Sequence, residues 1–234
     1  MRSRVRSYLR LLRKMPSNSQ DALALQALAA SNSQDAVALQ ALSALPGGYL
    51  PWTGPAMHPA AVATIVNSVV LNHHRAVVEC GSGVSTVVLA RAVRQEGGHI
   101  YTIEEDAEWG AHVSAWLDRD GTADAVTIIH APFEGRAGDG WYRRAALVDI
   151  PAEIDLLVVD GPAALAPGRA LVRYPALPYF NEKLTPGATV VLDDISRPGE
   201  QQILARWRSE FGREFEVRPL SDIAISRGGA PYNV

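Results

Sequence analysis

The chain has 234 residues, 47% of them hydrophobic and 20% charged, enough for one α/β domain with an ample core and an appendage. A net charge of −3 argues against a nucleic-acid partner, because strong phosphate binding needs a basic surface. The single cysteine, Cys80, excludes an internal disulfide framework and a cysteine-based zinc site, and no apolar run approaches the roughly 18 to 20 residues of a membrane span.

Residues Met1 to Met15 carry five arginines and one lysine, with Val5, Tyr8, Leu9, Leu12 and Met15 on one helical face. The spacing predicts a basic amphipathic helix ended by Pro16, read as packing on its own or a sister subunit rather than lying on a membrane. No signal-peptide core follows this start, so a cytoplasmic location is expected. Next, SNSQDALALQALAA over Ser17 to Ala30 is repeated as SNSQDAVALQALSA over Ser31 to Ala44. Each copy opens with a capping-box pattern, Ser17 with Gln20 and Ser31 with Gln34, so two short helices or one helix with a polar break would fit. Asn32 and Asp35 interrupt the seam of Leu25, Leu28, Leu39 and Leu42, which disfavours a long coiled coil. Two copies are too few for a solenoid. Residues 1–45 are therefore a helical appendage that either covers a ligand cleft or joins copies of the chain into a homo-oligomer.

Residues 46–59 form a linker punctuated by Pro46, Gly47, Gly48, Pro51, Gly54, Pro55 and Pro59. Its Tyr49, Trp52, Met57 and His58 are expected over the core near the cleft, His58 in a structural role. Residues 60–234 are the main domain. A helix over Ala60 to Leu71 leads into it, and His73 and His74 at its end read as capping or exposed.

From Ala76 strands and helices alternate. Strands are predicted at Ala76 to Cys80, His99 to Glu104, Val126 to His130, Leu156 to Asp160 and Thr189 to Asp193. Helices are predicted at Val84 to Arg94, Ala107 to Asp118, Gly168 to Leu184 and Glu200 to Phe211. Phe215 to Leu220 and Asp222 to Ser226 read as an antiparallel pair at the sheet edge. Such alternation gives an α/β fold, a doubly wound, mostly parallel sheet, with its ligand outside the carboxyl ends of the strands.

The candidate residues lie at those ends. In AVVECGSGVST, from Ala76 to Thr86, a Val-rich strand runs into a glycine turn and a helix start, the arrangement of a nucleotide-binding unit. Gly81 and Gly83 let the backbone take positive φ and approach a ligand, and Cys80 reads as a small buried neighbour of that ligand rather than a nucleophile. Glu104 ends the second strand, where two carboxylate oxygens match the two hydroxyl donors of a ribose. Asp160, Asp193 and Asp194 end the fourth and fifth strands, and three convergent carboxylates suit Mg²⁺, a hard ion with oxygen ligands. Capping of a turn by Asp194 and hydrogen bonds from loop amides to Asp160 are the structural alternative. Arg169, Arg173 and Tyr174, and Arg197 further on, are candidates to receive an anionic or hydroxylated substrate.

Ser85 and Thr86 stand where a dinucleotide fingerprint has a third glycine. With Glu79 opening the turn, the pattern E-x-G-x-G-x-S-T, Glu104, VVDGP and VVLDD resembles the class I S-adenosylmethionine-dependent methyltransferases. The resemblance covers Pro55 to about Gly228 and leaves out the repeats. It implies a seven-stranded Rossmann-like sheet, with Glu79, Gly81 and Gly83 around the methionine and ribose of the cofactor, Ser85 near its carboxylate and Glu104 on the ribose hydroxyls. Ala131, Pro132 and Phe133 would border the adenine through main-chain contacts, with Trp141 and Tyr142 stacking on it, walling the substrate pocket or joining the core. Asp160 would contact the methionine amine or the substrate. In the catechol O-methyltransferase-like branch, residues placed like Asp160, Asp193 and Asp194 bind Mg²⁺, but no lysine follows Asp160, so that branch's base is missing. The expected activity is O-methylation of a small polar or hydroxylated molecule, with Asp160 and Asp193 at the reaction centre and Arg173, Tyr174 and Arg197 toward the substrate. The competing readings are an NAD-dependent oxidoreductase on a similar sheet and a non-catalytic scaffold that works through its N-terminal helices.

Overall fold

The computed structural model describes residues 19–53, 56–136, 140–229 and Tyr232. The expected basic helix of Met1 to Met15, the first capping box at Ser17, and Gly54 and Pro55 lie outside the described residues. Strands β1 (Ala76–Cys80), β2 (His99–Glu104), β3 (Val126–His130), β6 (Ile154–Val159), β7 (Leu184–Asp193), β8 (Glu216–Arg218) and β9 (Ile223–Arg227) form one sheet. Its order is β3-β2-β1-β6-β7-β9-β8, and β9 alone runs antiparallel to its neighbours. The order reverses between β1 and β6, so the crevice of this doubly wound sheet opens at their carboxyl ends. Two further short strands, β4 (Phe133–Glu134) and β5 (Trp141–Tyr142), pair antiparallel outside it.

The strands are apolar because both faces are covered, and their two-residue period sorts the side chains. Val77, Leu156, Val158 and Val191 point into one core, with helices α2 (Pro59–Asn72), α3 (Val84–Gln95) and α4 (Ala107–Asp120). Val78, Leu157, Val159, Val190 and Leu192 point into the other, with α5 (Ala176–Phe180) and α6 (Pro198–Phe211). Helix ends follow local chemistry. Asp106 accepts the amides of Glu108 and Trp109 at the start of α4, and Gly121 closes that helix at φ 73°.

The two repeat copies form one continuous helix, α1 (Ser19–Leu42). Ser31 does not cap a new helix; its hydroxyl donates to the Leu220 carbonyl at 2.9 Å. Among the described residues the anchoring contacts come from the second copy. Ala38 and Leu42 are buried while Leu25 and Leu28 stay exposed. Asp35 accepts the Ala60 amide at 3.1 Å and meets the His58 ring at 2.9 Å, acting as an N-cap for α2 supplied from another helix. Asp35→Ala is expected to cost about 1 kcal/mol, read as a lowered urea midpoint at unchanged slope.

Three expectations need correction. No helix spans Gly168 to Leu184: turns with three-residue hydrogen bonds lead to the short α5, a 3₁₀ turn and a β7 that begins at Leu184. Pro175 and Pro178 have no amide hydrogen, so the four-residue ladder cannot run through them. His74 is neither cap nor exposed. It is buried against Ser68 Oγ at 3.1 Å, and burial pushes its pKa down against the pull of Asp155. His73, in the left-handed conformation at the end of α2, is the capping residue, its ring on Glu96. In the linker, Met57 and Leu50 enter the core but Tyr49 is exposed. Among the described residues no helix is long and apolar enough to cross a membrane.

Candidate active site

The glycine turn after β1 is tied down from both sides. The Gly81 amide donates to the Ile103 carbonyl at 2.8 Å on β2. On the β6 side its backbone touches Gly161: a Cβ on Gly161 would stand 2.7 Å from the Gly81 nitrogen and 2.3 Å from Tyr142 Oη. Gly81 has φ +89°, a conformation that costs other residues roughly 1–2 kcal/mol. Among the described residues beyond its chain neighbours, nothing lies within 4 Å of where a Cβ on Gly83 would stand, so the turn is open there.

Glu79 is fully buried and faces the helix start rather than open solvent. Ser85 Oγ donates to its Oε1 at 2.7 Å and Thr86 Oγ1 to its Oε2 at 2.5 Å, while Thr86 in turn accepts the Gly83 amide at 2.9 Å. Burial raises the Glu79 pKa to about 7, against the lowering effect of those two hydroxyls. The hydroxyl pair that replaces a third glycine thus has a structural partner. Cys80 is also fully buried, and its thiol pKa is pushed up by burial and then by Glu79, which leaves it inert as a nucleophile.

Glu104 leans over the turn. Its Oε2 accepts Ser82 N at 3.0 Å and Ser82 Oγ at 2.7 Å, and its Oε1 accepts the Asp106 amide at 2.9 Å. A cavity of about 640 Å³ lies here, lined by Glu104, Glu105, Asp106, Ala107, Trp109 and Ala163, within the size range of cofactor pockets. Trp109, which sequence reasoning missed, is 40% exposed and donates from its ring to the Ser82 carbonyl at 2.8 Å. Glu105 was also not placed by sequence, and Arg169, expected to receive a substrate, faces it instead. Arg169 pairs with Glu105 at 3.0 Å and lies 3.8 Å over the Phe133 ring, joining the loops after β2, β3 and β6. Pro132 fixes the β5 side by accepting the Arg143 amide. Trp141 belongs to the core, packed on Tyr179 and Phe180. Tyr142 is buried beside Gly161, and its hydroxyl has no partner among the described residues. The open side of Gly83, this orphan hydroxyl and the acidic cavity fit a nucleoside-containing cofactor that accepts and donates hydrogen bonds.

Asp160, Asp193 and Asp194 converge as expected, with carboxylate oxygens within 4.8 Å of one another. The sequence did not reveal what stands among them. Arg173 is buried, not presented to a substrate. Its Nη2 donates to Asp160 Oδ1 at 3.1 Å, its Nη1 to Asp194 Oδ2 at 2.8 Å, and Glu200 Oε1 lies 3.7 Å away. Arg197 adds a second guanidinium on Asp194 Oδ2 at 2.6 Å. Tyr174 is outside the cluster, its hydroxyl on Glu210 and its ring under Arg206. Burial raises the Asp160 pKa to about 6, with Arg173 opposing. Asp193 is pushed well above the carboxylate range by burial and by Asp160 and Asp194. The set does not fit Mg²⁺. The Arg173 guanidinium stands among the carboxylates where the ion would have to sit, and its protons already occupy Asp160 Oδ1 and Asp194 Oδ2.

A second cavity of about 530 Å³, lined by Pro46, Gly47, Arg91, Arg94 and Asp120, lies away from these strand ends. Its arginines are paired with Asp120 and Asp124.

A doubly wound sheet in this order, with a glycine turn after β1 and acidic residues ending β2, β6 and β7, defines a class I, Rossmann-like S-adenosylmethionine-dependent methyltransferase. A family model described as a methyltransferase domain matches residues 78–195, and the chain belongs to that family. Among solved structures it shares its fold with an S-adenosylhomocysteine-bound methyltransferase from Podospora anserina (TM-score 0.56, 16% identity, 91% of this chain and 97% of that one). The same holds for an O-methyltransferase from Bacillus cereus in complex with S-adenosylhomocysteine (0.53, 18%, 83% and 90%). A third is the O-methyltransferase TomG of tomaymycin synthesis from Streptomyces achromogenes, in complex with S-adenosylmethionine (0.52, 21%, 83% and 88%). No curated protein sequence matches the chain. Nothing here favours the oxidoreductase or scaffold readings.

Proposed function

We propose that this methyltransferase acts on an oxygen of a small polar or hydroxylated molecule, with Asp160 as the group that receives the hydroxyl proton. One observation carries the reading: Asp160 stands at the end of β6, beside the glycine turn of β1, with its side chain 20% exposed and held by Arg173. S-adenosylmethionine, when bound, supplies an electrophilic methyl group. Glu104 would hold the ribose hydroxyls, which requires the Ser82 hydroxyl to rotate off Oε2, and Gly81 and Gly83 would give room for the methionine part. Glu79 and Ser85 act through the helix start that they pin. Phe133 and Pro132 would border the adenine, and the Tyr142 hydroxyl is free to bond the cofactor.

Asp160 takes a proton from the acceptor hydroxyl as that oxygen gains the methyl group, and Asp193 holds Asp160 in place from the buried side. Orienting the two reactants is the larger contribution, since well-placed groups gain about 7 to 11 kcal/mol over a bimolecular encounter. Arg197, one-third exposed, is placed to meet an anionic group of the acceptor. Magnesium is not part of this reading. The appendage of residues 1–45 is assigned an accessory role, with the exposed Leu25 and Leu28 available for a contact between copies.

The test is a screen of hydroxylated and amine acceptors with labelled S-adenosylmethionine, read as label in product. Label on amines alone would overturn the oxygen assignment. Glu104→Gln is expected to weaken S-adenosylmethionine binding about tenfold by calorimetry, because one acceptor oxygen becomes a donor. Unchanged affinity would remove Glu104 from the cofactor site.

A further inference from the structure

We infer that Arg173 is a built-in cation that fills the place of a divalent ion among Asp160, Asp193 and Asp194, so that the site works without metal and positions Asp160 through a guanidinium. The inference rests on the proposed role of this cluster in methyl transfer. Arg173 side-chain exposure is 4%, and each of its three guanidinium nitrogens meets an acceptor. Nε faces the Pro162 carbonyl at 3.4 Å and Nη1 the Asp193 carbonyl at 3.5 Å, in addition to the Asp160 and Asp194 carboxylates. The fork is therefore pinned from three sides and ties the loop after β6 to the end of β7.

This geometry is bidentate across two different carboxylates, a task that suits a planar guanidinium and not a lysine ammonium. Mg²⁺ needs octahedral oxygen ligands at about 2.0 to 2.1 Å. Here Asp194 Oδ2 is shared by Arg173 and Arg197, Asp160 Oδ1 is taken by Arg173, and Asp193 Oδ1 is buried away from solvent. Asp160 and Asp194 are thus already paired with guanidinium groups of the chain itself, while burial favours the neutral form of Asp193. Positive charge beside the acceptor oxygen is retained, but it is covalently fixed in the fold. Arg173 is a positioning residue in this scheme: it orients Asp160 and does not itself touch the acceptor.

The experiment is a Mn²⁺ titration followed by electron paramagnetic resonance on the full chain, with wild type, Arg173→Ala and Asp194→Asn compared. Wild type is expected to leave the free Mn²⁺ signal unchanged up to about 1 mM, the weak end of protein divalent-cation sites. Arg173→Ala, verified as folded by circular dichroism, is expected to bind Mn²⁺ at least about tenfold more tightly than wild type, because the guanidinium between Asp160 and Asp194 is removed. Saturable binding to wild type that Asp194→Asn abolishes would overturn the inference, and so would a folded Arg173→Ala protein that gains no site. If Arg173→Ala does not fold, Arg173→Met is measured in its place under the same criterion, and the wild-type titration decides by itself. Mn²⁺ binding is read without turnover, so failure here is distinct from failure of the oxygen-methylation assignment.

Discussion

Asp160→Asn is expected to lower kcat by about 10² to 10⁴, the usual contribution of a positioned general base. The amide keeps the size of the side chain but cannot take a proton, and it meets Arg173 with one acceptor oxygen and no charge. Wild-type kcat should rise with pH across about 6, the value to which burial lifts Asp160, and level off above it. A base is active only when deprotonated, so activity is lost on the acid side. Asp160 and Asp193 are neighbouring buried carboxyls that titrate as a pair, so the inflection belongs to both. It should disappear in Asp160→Asn. The measurement is kcat at saturating S-adenosylmethionine across the pH range, beside the cofactor affinity of each protein. If the variant loses affinity but keeps kcat and its pH profile, Asp160 is a cofactor ligand and not the base.

β1 and β2 could be read because they are largely buried on both faces, and β3, at the sheet edge and partly exposed, because most of its residues are β-branched. Continuous Val and Ile runs placed β1, β2 and β3 with the bounds found, and no other element type puts so many β-branched residues together over five or six positions. The segment from Gly168 to Leu184 could not, because its apolar residues pack irregularly and its two prolines, Pro175 and Pro178, outweigh a helical spacing. The convergence of the aspartates followed from sheet topology alone, since β6 and β7 are neighbours. Arg173 escaped for the opposite reason. It comes from an irregular segment, and no periodicity says that an arginine there turns inward. The partner of Glu79 did leave a signal. A carboxylate inside a Val-rich strand must be hydrogen-bonded or neutral, and the nearest hydroxyl donors, Ser85 and Thr86, follow in the same motif.

That pairing leads to the second large effect. Glu79 is fully buried, and its pKa is about 7 against an ordinary 4.5. Between those values the unfolded chain has released its proton while the folded protein still holds it, so raising the pH favours unfolding. The contribution of neutral Glu79 is complete below about 4.5, falls through the interval and is gone above about 7, a change of about 3 kcal/mol. Glu79→Gln does not ionise. Other titrating groups act on both proteins alike, so the difference in unfolding free energy between variant and wild type isolates this residue. The variant should gain about 3 kcal/mol relative to wild type between pH 4 and pH 8, whatever the offset from replacing an acceptor by an amide beside two hydroxyls. Urea unfolding of both proteins at several pH values measures it. A difference independent of pH would mean that Glu79 ionises normally in the folded protein and that water reaches the helix start. Its carboxylate would then be open to the cofactor side, and Glu79 would belong among the groups that touch the ligand instead of those that brace the turn.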